Sequence, residues 1–135
     1  MSIDYKMLTD AAESARLASY SPYSHISVGA ALLADSGKIY LGTNIENAAY
    51  SPTVCAERVA FFKAISEGER VFRAIAIVGG KDDVKKEFAP CGVCRQVMSE
   101  FCDGDFEIVL TSDGEVKTYT LRELLPHSFG KKNFV

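Results

Sequence analysis

The chain has 135 residues, a formal net charge of −3 at pH 7 and 47% hydrophobic residues. This length suits one domain, residues 1–135, around a single core. The slight negative charge argues against a nucleic-acid binder, since binding to the phosphate backbone needs a basic patch or stripe. No run approaches the roughly 18 consecutive apolar residues of a membrane span, and residues 1–20 lack the apolar core of a signal peptide. We therefore expect a cytoplasmic protein that binds no membrane.

The first part of the chain predicts a helix, a β-hairpin and a polar loop. Residues 4–19 repeat apolar side chains at three- and four-residue spacing, which is typical of a helix with one buried face. Residues 28–34 and 38–44 read as two strands joined by a turn at Asp35-Ser36-Gly37. Residues 43–52 leave the second strand as a polar loop, a kind of segment in which binding groups concentrate.

The middle of the chain predicts two helices and a buried strand. Residues 55–67 place apolar side chains around most of a helix, which predicts a helix that is buried on most sides. Residues 73–78 predict a strand that ends at the following pair of glycines, and the charged residues 81–88 predict a solvated crossover. Residues 91–101 predict a second helix with these side chains facing inward: Val93, Val97, Met98 and Phe101.

The last part predicts strands at residues 106–110 and 116–120 and a short helix at 120–125 that Pro126 stops. The resulting order, αββαβαββα, predicts an α/β fold with a mixed sheet and helices on its faces. In such folds two helices can begin at strand ends on one edge of the sheet. The two segments that carry the chemistry would then meet.

Those segments are residues 53–58, TVCAER, and 90–96, PCGVCRQ. They supply three thiols, Cys55, Cys91 and Cys94, and a carboxylate, Glu57. Thiols in a chain expected in the cytoplasm suggest a metal rather than disulfides. Zinc prefers thiolate ligands in a tetrahedron, and a catalytic site leaves one position for water. The fourth thiol, Cys102, should lie roughly 12 Å beyond Cys94 along a helix and not reach the same ion.

Glu57 is interpreted as a proton carrier beside this metal, although a Glu in a first helical turn commonly just stabilises the helix N-terminus. Zinc makes a bound water acidic near neutral pH, and three thiolates work against that effect. Helix N-termini at Cys55 and Cys91 would stabilise the thiolates. Arg58 is close enough in sequence to add a positive charge beside the sulfurs.

This spacing resembles the zinc deaminases, whose motif is His or Cys, any residue and Glu, followed by Pro-Cys-x-x-Cys. Cys55-Ala56-Glu57 and residues 90–94 match its all-cysteine form, and the chain is similar to the small, homotetrameric class of cytidine deaminases. The similarity covers nearly the whole chain, through YSPYSHISVGAAL (20–32), TNIENAAYSPTVCAER (43–58), PCGVCRQVMSEF (90–101) and LLPHSF (124–129).

The resemblance implies a three-layer α-β-α sandwich around a mixed five-stranded sheet. It also implies one zinc ion per subunit, held by Cys55, Cys91 and Cys94, with Arg58 hydrogen-bonded to sulfur and Glu57 as acid and base. The implied reaction serves pyrimidine salvage. It replaces the exocyclic amine of cytidine or deoxycytidine with oxygen and releases ammonia.

The resemblance further implies where the nucleoside binds. Asn44 and Glu46 match the family's ribose contacts, and these amide and carboxylate groups suit hydroxyls. Ile26 stands where members usually have a phenylalanine that stacks on the base. Tyr50 and Phe129 match residues that complete a neighbouring subunit's site in the homotetramer. From the residues alone, Asn44 could instead hold a turn and Phe129 could anchor a tail.

Two other functions remain open at this stage. The enzyme could deaminate a modified cytosine nucleoside such as blasticidin S, because Ile26 changes the base contact. From another class, the chain could be an interaction module with a structural zinc site. That site needs a fourth protein ligand, for which His25 and His127 are the only histidines.

Overall fold

The computed structural model describes residues 2–81 and 84–134, which form one mixed β-sheet with helices packed on both faces. The helices are α1 (Tyr5–Ala15), α2 (Ala56–Ser66), α3 (Gly92–Phe101) and α4 (Leu121–Leu124), with 3-10 turns at Arg16–Ala18 and Lys131–Phe134. The strands are β1 (Ile26–Ala34), β2 (Ile39–Thr43), β3 (Phe72–Lys81), β4 (Val84–Lys86), β5 (Glu107–Ser112) and β6 (Glu115–Thr120). Within these ranges every helix is too short or too polar to cross a bilayer.

The sheet has the strand order β2-β1-β3-β5-β6, with β4 paired to β3 outside this path. Strands β3 and β5 run parallel, and the other pairs are antiparallel. The predicted α/β class, with helices on both faces of a mixed sheet, is confirmed. The predicted count of five strands is wrong by one, because β4 turns back along the end of β3 and pairs Lys86 with Gly79.

The charged stretch predicted as a solvated crossover, residues 81–88, therefore contributes a strand. Its residues Asp82 and Asp83 lie outside the described residues. Strand β3 also runs three residues further than predicted and passes through Gly79 and Gly80. The ladder continues there because Val28 and Ser27 of β1 pair with these glycines through backbone groups, which need no side chain.

Alternation along the strands sends side chains into two separate cores. On one face α1 inserts Leu8 and Ala12 among small residues such as Ala31 and Ala76. On the other face α2 and α3 cover a larger core that contains the following buried residues: Leu32, Phe61, Ile75, Ile77, Met98 and Ile108. Cys55 and Cys94, two of the predicted metal ligands, belong to the second face.

The two helices of that face are less buried than their apolar composition predicts. Val93 is 57% exposed and Phe62 is 50% exposed, so the predicted inward position of Val93 is wrong. Helix α3 is buried instead at Cys94 and Met98, four residues apart on one side of the helix. Val93 is apolar, which suggests burial, but the side of α3 on which it lies faces solvent.

Helix α2 packs directly on β2 at Gly42, and this contact supports the segment that carries Cys55. A Cβ atom at Gly42 would lie 2.2 Å from the carbonyl oxygen of Ala56 and 2.7 Å from the backbone nitrogen of Ala60. Because both are backbone atoms, the helix would have to move. We expect Gly42→Ala to lower the free energy of unfolding by about 1–3 kcal/mol in chemical denaturation. Gly130→Ala is the control, since nothing lies within 4 Å of its Cβ, and equal losses in the two variants would contradict the prediction.

Candidate active site

The three thiols that the sequence groups together lie together in the structure. Their Sγ atoms are all within 4.8 Å of one another. The Cys55 and Cys91 sulfurs are 3.7 Å apart, and those of Cys91 and Cys94 are 3.5 Å apart. Tetrahedral zinc with Zn–S bonds of about 2.3 Å places two sulfur ligands about 3.8 Å apart. The donor set therefore fits a zinc ion with little rearrangement.

Both helices on this face begin at the sulfurs. Cys55 is the N-cap of α2, Cys91 is the N-cap of α3, and Cys94 lies in the first turn of α3. The Cys91 sulfur accepts a hydrogen bond from the Cys94 amide at 3.5 Å. The partial positive charge at a helix N-terminus favours thiolates. Two helix ends thus supply part of the charge compensation that three thiolates require.

A guanidinium supplies more of it. Arg58 donates from Nη2 to the Cys55 sulfur at 3.5 Å. The pKa of the Cys55 thiol is lowered to about 5, first by a hydrogen bond from Cys94 and then by the Arg58 guanidinium. The Nε atom of Arg58 is buried and has no hydrogen-bond partner among the described residues. The surroundings of Cys55 therefore favour its thiolate form.

The metal cluster of the described residues contains three cysteines and no histidine. His25 and His127 both have left-handed backbone angles in loops, with φ of 61° and 52°. Cys102 caps the C-terminal end of α3 and lies outside the cluster, as its sequence position predicts. The fourth protein ligand that a structural zinc site needs is thus not supplied by either histidine or by Cys102.

Glu57 lies in the first turn of α2 and is 4% exposed. Burial in the first place, together with the negative charge of Cys55, raises the pKa of its carboxyl group to about 7. A carboxyl group with a pKa near neutrality can both accept and donate a proton under physiological conditions. This environment suits a proton carrier better than a carboxylate that only caps a helix.

A cavity of about 230 Å³ joins the cysteines to Glu57 and to a mixed polar and apolar wall. Its lining consists of Val28, Asn44, Glu46, Thr53, Val54, Cys55, Ala56, Glu57, Ile77, Phe88, Ala89 and Cys91. The polar groups come mainly from the loop after β2, and the apolar groups come from β1, β3 and the segment before α3. A small molecule with one polar side and one flat apolar side would match this arrangement.

Asn44 is held in place by the segments around it. Its Oδ1 accepts hydrogen bonds from the Val28 amide at 2.9 Å and from the Ser19 hydroxyl at 2.5 Å. Its Nδ2 donates to the Ile26 carbonyl at 2.9 Å. Asn44 thus joins β1 to the end of β2 while it lines the cavity. One Nδ2 hydrogen is left over from these three bonds.

Glu46 holds the loop before β1 in a similar way. Its Oε1 accepts from the amides of Tyr23 and Ser24 at 2.9 and 3.1 Å, and its Oε2 accepts from the Ser24 hydroxyl. The Ser24 hydroxyl is the main cause of the lowered pKa of this carboxyl group. Glu46 is therefore an ionised acceptor on the polar side of the cavity.

The other three residues predicted to bind substrate do not line the cavity in the described chain. Ile26 lies two residues before Val28 on β1, opposite Lys81 at the end of β3. Tyr50 is 73% exposed and lines an adjoining cavity of about 400 Å³ that also includes Glu46. Phe129 is 62% exposed on the C-terminal segment.

Phe88 and Val28 also line the cavity, although no motif in the sequence predicts a role at the site for either residue. For Phe88 a signal was available, since it is an aromatic residue in a charged segment, three positions before Cys91. For Val28 the run of apolar residues in β1 predicts burial only. Its place in the cavity depends on where α2 and α3 begin.

Comparison with known proteins agrees with the fold and with a zinc-binding site. Residues 1–110 match the family model described as the cytidine and deoxycytidylate deaminase zinc-binding region. A cytidine deaminase of Sporosarcina psychrophila is 48% identical over 132 residues, which cover 97% of this chain and 95% of the relative. A probable cytidine deaminase of Dictyostelium discoideum is 42% identical over 93% of this chain and 84% of its own length.

Solved structures of cytidine deaminases are also similar to this chain. The 1.6 Å crystal structure of a cytidine deaminase from Burkholderia pseudomallei superposes with a TM-score of 0.87 at 44% identity, over 94% of this chain and all of that one. The cytidine deaminase of Mycobacterium tuberculosis superposes with a TM-score of 0.80 at 35% identity, over 96% and 99% of the two chains.

Proposed function

The chain belongs to the zinc-binding family of cytidine and deoxycytidylate deaminases, and we propose that it converts cytidine and deoxycytidine to uridine and deoxyuridine in pyrimidine salvage. It is a zinc-dependent cytidine deaminase. The reaction consumes one water and releases one ammonia. The observation that carries the proposal is the joint presence of three clustered sulfurs and buried Glu57 in one cavity.

Each residue of the cluster has a separate task. Cys55, Cys91 and Cys94 hold the zinc ion, and Arg58 offsets the negative charge of Cys55. When bound, zinc acts as a Lewis acid that makes water acidic near neutral pH. Glu57 takes up the two protons of the attacking water one after the other; it donates the first to the ring nitrogen beside carbon 4 and the second to the departing amine. Its near-neutral pKa suits both directions of transfer.

The sugar is held on the polar side of the cavity. The ionised Glu46 accepts a hydrogen bond from a ribose hydroxyl, and the free Nδ2 hydrogen of Asn44 donates to another ribose oxygen. Because both side chains are already fixed by protein hydrogen bonds, they lose little further freedom when substrate binds. Ile26 lies two residues before Val28 on β1, outside the lining of the cavity among the described residues.

We further propose a homotetramer in the cytoplasm, in which one 135-residue catalytic domain per subunit shares its site with neighbours. Tyr50 and Phe129 are large apolar side chains that are mostly exposed and lie outside the subunit's own cavity. Their burial against another copy would remove apolar surface from water and close the cavity mouth.

One coupled assay tests the proposed function. Purified zinc-loaded protein is expected to release ammonia from cytidine and deoxycytidine, to lose this activity with a chelator and to regain it with added zinc. Light scattering of the same sample should give the mass of four chains. Faster release from blasticidin S than from cytidine would favour the modified-nucleoside alternative, which Ile26 motivates. No release from any cytosine nucleoside by zinc-loaded protein would favour a structural zinc module and contradict the proposal.

A further inference from the structure

We propose that Phe88 is the aromatic wall against which the cytosine base lies, and hence a specificity-determining residue for this reaction. The inference rests on the proposed function. Among the described residues that line the cavity, Phe88 alone is aromatic. Cytosine is a flat ring, and contact with an aromatic side chain is a common way in which proteins hold such a ring.

The ring of Phe88 is seated on β3 at Gly79. A Cβ atom built on Gly79 would lie 2.7 Å from Cδ2 and 2.8 Å from Cγ of Phe88. Gly79 thus leaves open the space that the ring fills. Its neighbours on the same face are Ile77, two residues earlier, and Val28, which pairs with Gly79 across the strands. Both of these also line the cavity.

The segment after Phe88 is fixed at the metal cluster. Pro90 is fully buried, and its carbonyl oxygen accepts a hydrogen bond from Nε of Arg95 at 2.7 Å. Cys91 then caps α3 and contributes its sulfur to the cluster. The position of the aromatic ring is therefore coupled to the position of the sulfurs over three residues. A base that lies against this ring is held at a set distance from the reacting groups.

The wall of the cavity at Phe88 suits the base rather than the sugar. Asn44 and Glu46 supply the polar side, whereas Val28, Ile77 and Phe88 supply the apolar side. Ribose has hydroxyls to satisfy and would lose hydrogen bonds on an apolar wall. Ile26, the residue predicted to border the base, does not line the cavity in the described chain. Phe88 provides an aromatic contact from a different segment.

The test compares two Phe→Leu variants of the full zinc-loaded enzyme. Phe88→Leu keeps an apolar side chain over Gly79 but removes the aromatic ring, and we expect KM for cytidine to rise about tenfold, with the inhibition constant of the product uridine rising in parallel. The change in kcat should stay within about twofold, since the Phe88 ring does not transfer protons. Phe72→Leu, at the far end of β3, is the matched control and should lower Tm without changing KM.

Two further variants separate contact with the base from support of the fold. Phe88→Tyr keeps the ring and should keep KM within about twofold of the parent. Gly79→Ala leaves Phe88 in the sequence but displaces its ring, so KM should rise. The inference would be overturned if Phe88→Leu left KM unchanged, or if Phe72→Leu raised KM by as much. It would also be overturned if full zinc loading abolished the rise in KM of Phe88→Leu. If the parent enzyme released no ammonia from cytidine, the proposed function itself would fail.

Discussion

Glu57→Gln is expected to lower kcat for cytidine by at least about 10²- to 10⁴-fold while the enzyme keeps its zinc. The amide has nearly the shape of the carboxyl group but neither accepts nor donates a proton at neutral pH. Glu57 is 4% exposed, with a pKa raised to about 7 by burial. A neutral amide therefore adds no charge to the buried site, and the loss of turnover should come without loss of fold.

The measurement combines single-turnover kinetics with zinc analysis and thermal unfolding. Zinc content should remain at about one ion per chain, and Tm should stay close to that of the parent. Glu67→Gln is the matched control, because Glu67 is exposed at the C-cap of the same helix. If Glu57→Gln were active, Glu57 would not be the proton carrier. The structure would then identify no proton carrier among the described residues of the cavity.

Cys91→Ser is expected to lose both zinc and turnover. A serine hydroxyl is a harder and much weaker zinc ligand than a thiolate. The remaining sulfurs of Cys55 and Cys94 belong to two different helices, so removal of Cys91 leaves one ligand on each. We expect zinc per chain to fall from about one to a small fraction after dialysis, and the assay to show no turnover above background.

Cys102→Ser is the matched control for this loss. Cys102 is a partly buried thiol at the end of the same helix, α3, but it is outside the cluster. The control should keep zinc and turnover. Inductively coupled plasma mass spectrometry gives the metal content, and X-ray absorption of the parent should show three sulfurs and one lighter scatterer. A fourth sulfur, or full zinc content in Cys91→Ser, would contradict the three-cysteine site.

The ligand set could be predicted from the sequence because it depends on local chemistry. Two short segments carry thiols at spacings that suit helix N-termini, and Glu57 follows Cys55 within one turn. Periodicity also predicted the order of helices and strands, since each amphipathic pattern has to bury its own face. These features depend on neighbours along the chain, and the structure has them within a few residues of the predicted bounds.

Strand β4 and the exposure of Val93 could not be predicted from such local sequence patterns. Residues 84–86 belong to a charged segment, and their pairing depends on the edge of β3 that is free beyond the last residue paired with β5, which no local pattern contains. Val93 is apolar, but the position of Cys94 at the cluster rotates the helix so that Val93 faces outward. In both cases a contact between distant segments outweighs the local preference.

By itself, the sequence determined which residues can bind zinc and move a proton, because these depend on residue type and on spacing within a helical turn. Only the tertiary structure decided that Cys55 and Cys91, 36 positions apart, place their sulfurs 3.7 Å from each other, and that the ring of Phe88 fills the space above Gly79. Packing of the helices on one face of the sheet sets those distances. A chain has to be folded before residues so far apart in sequence can share one cavity.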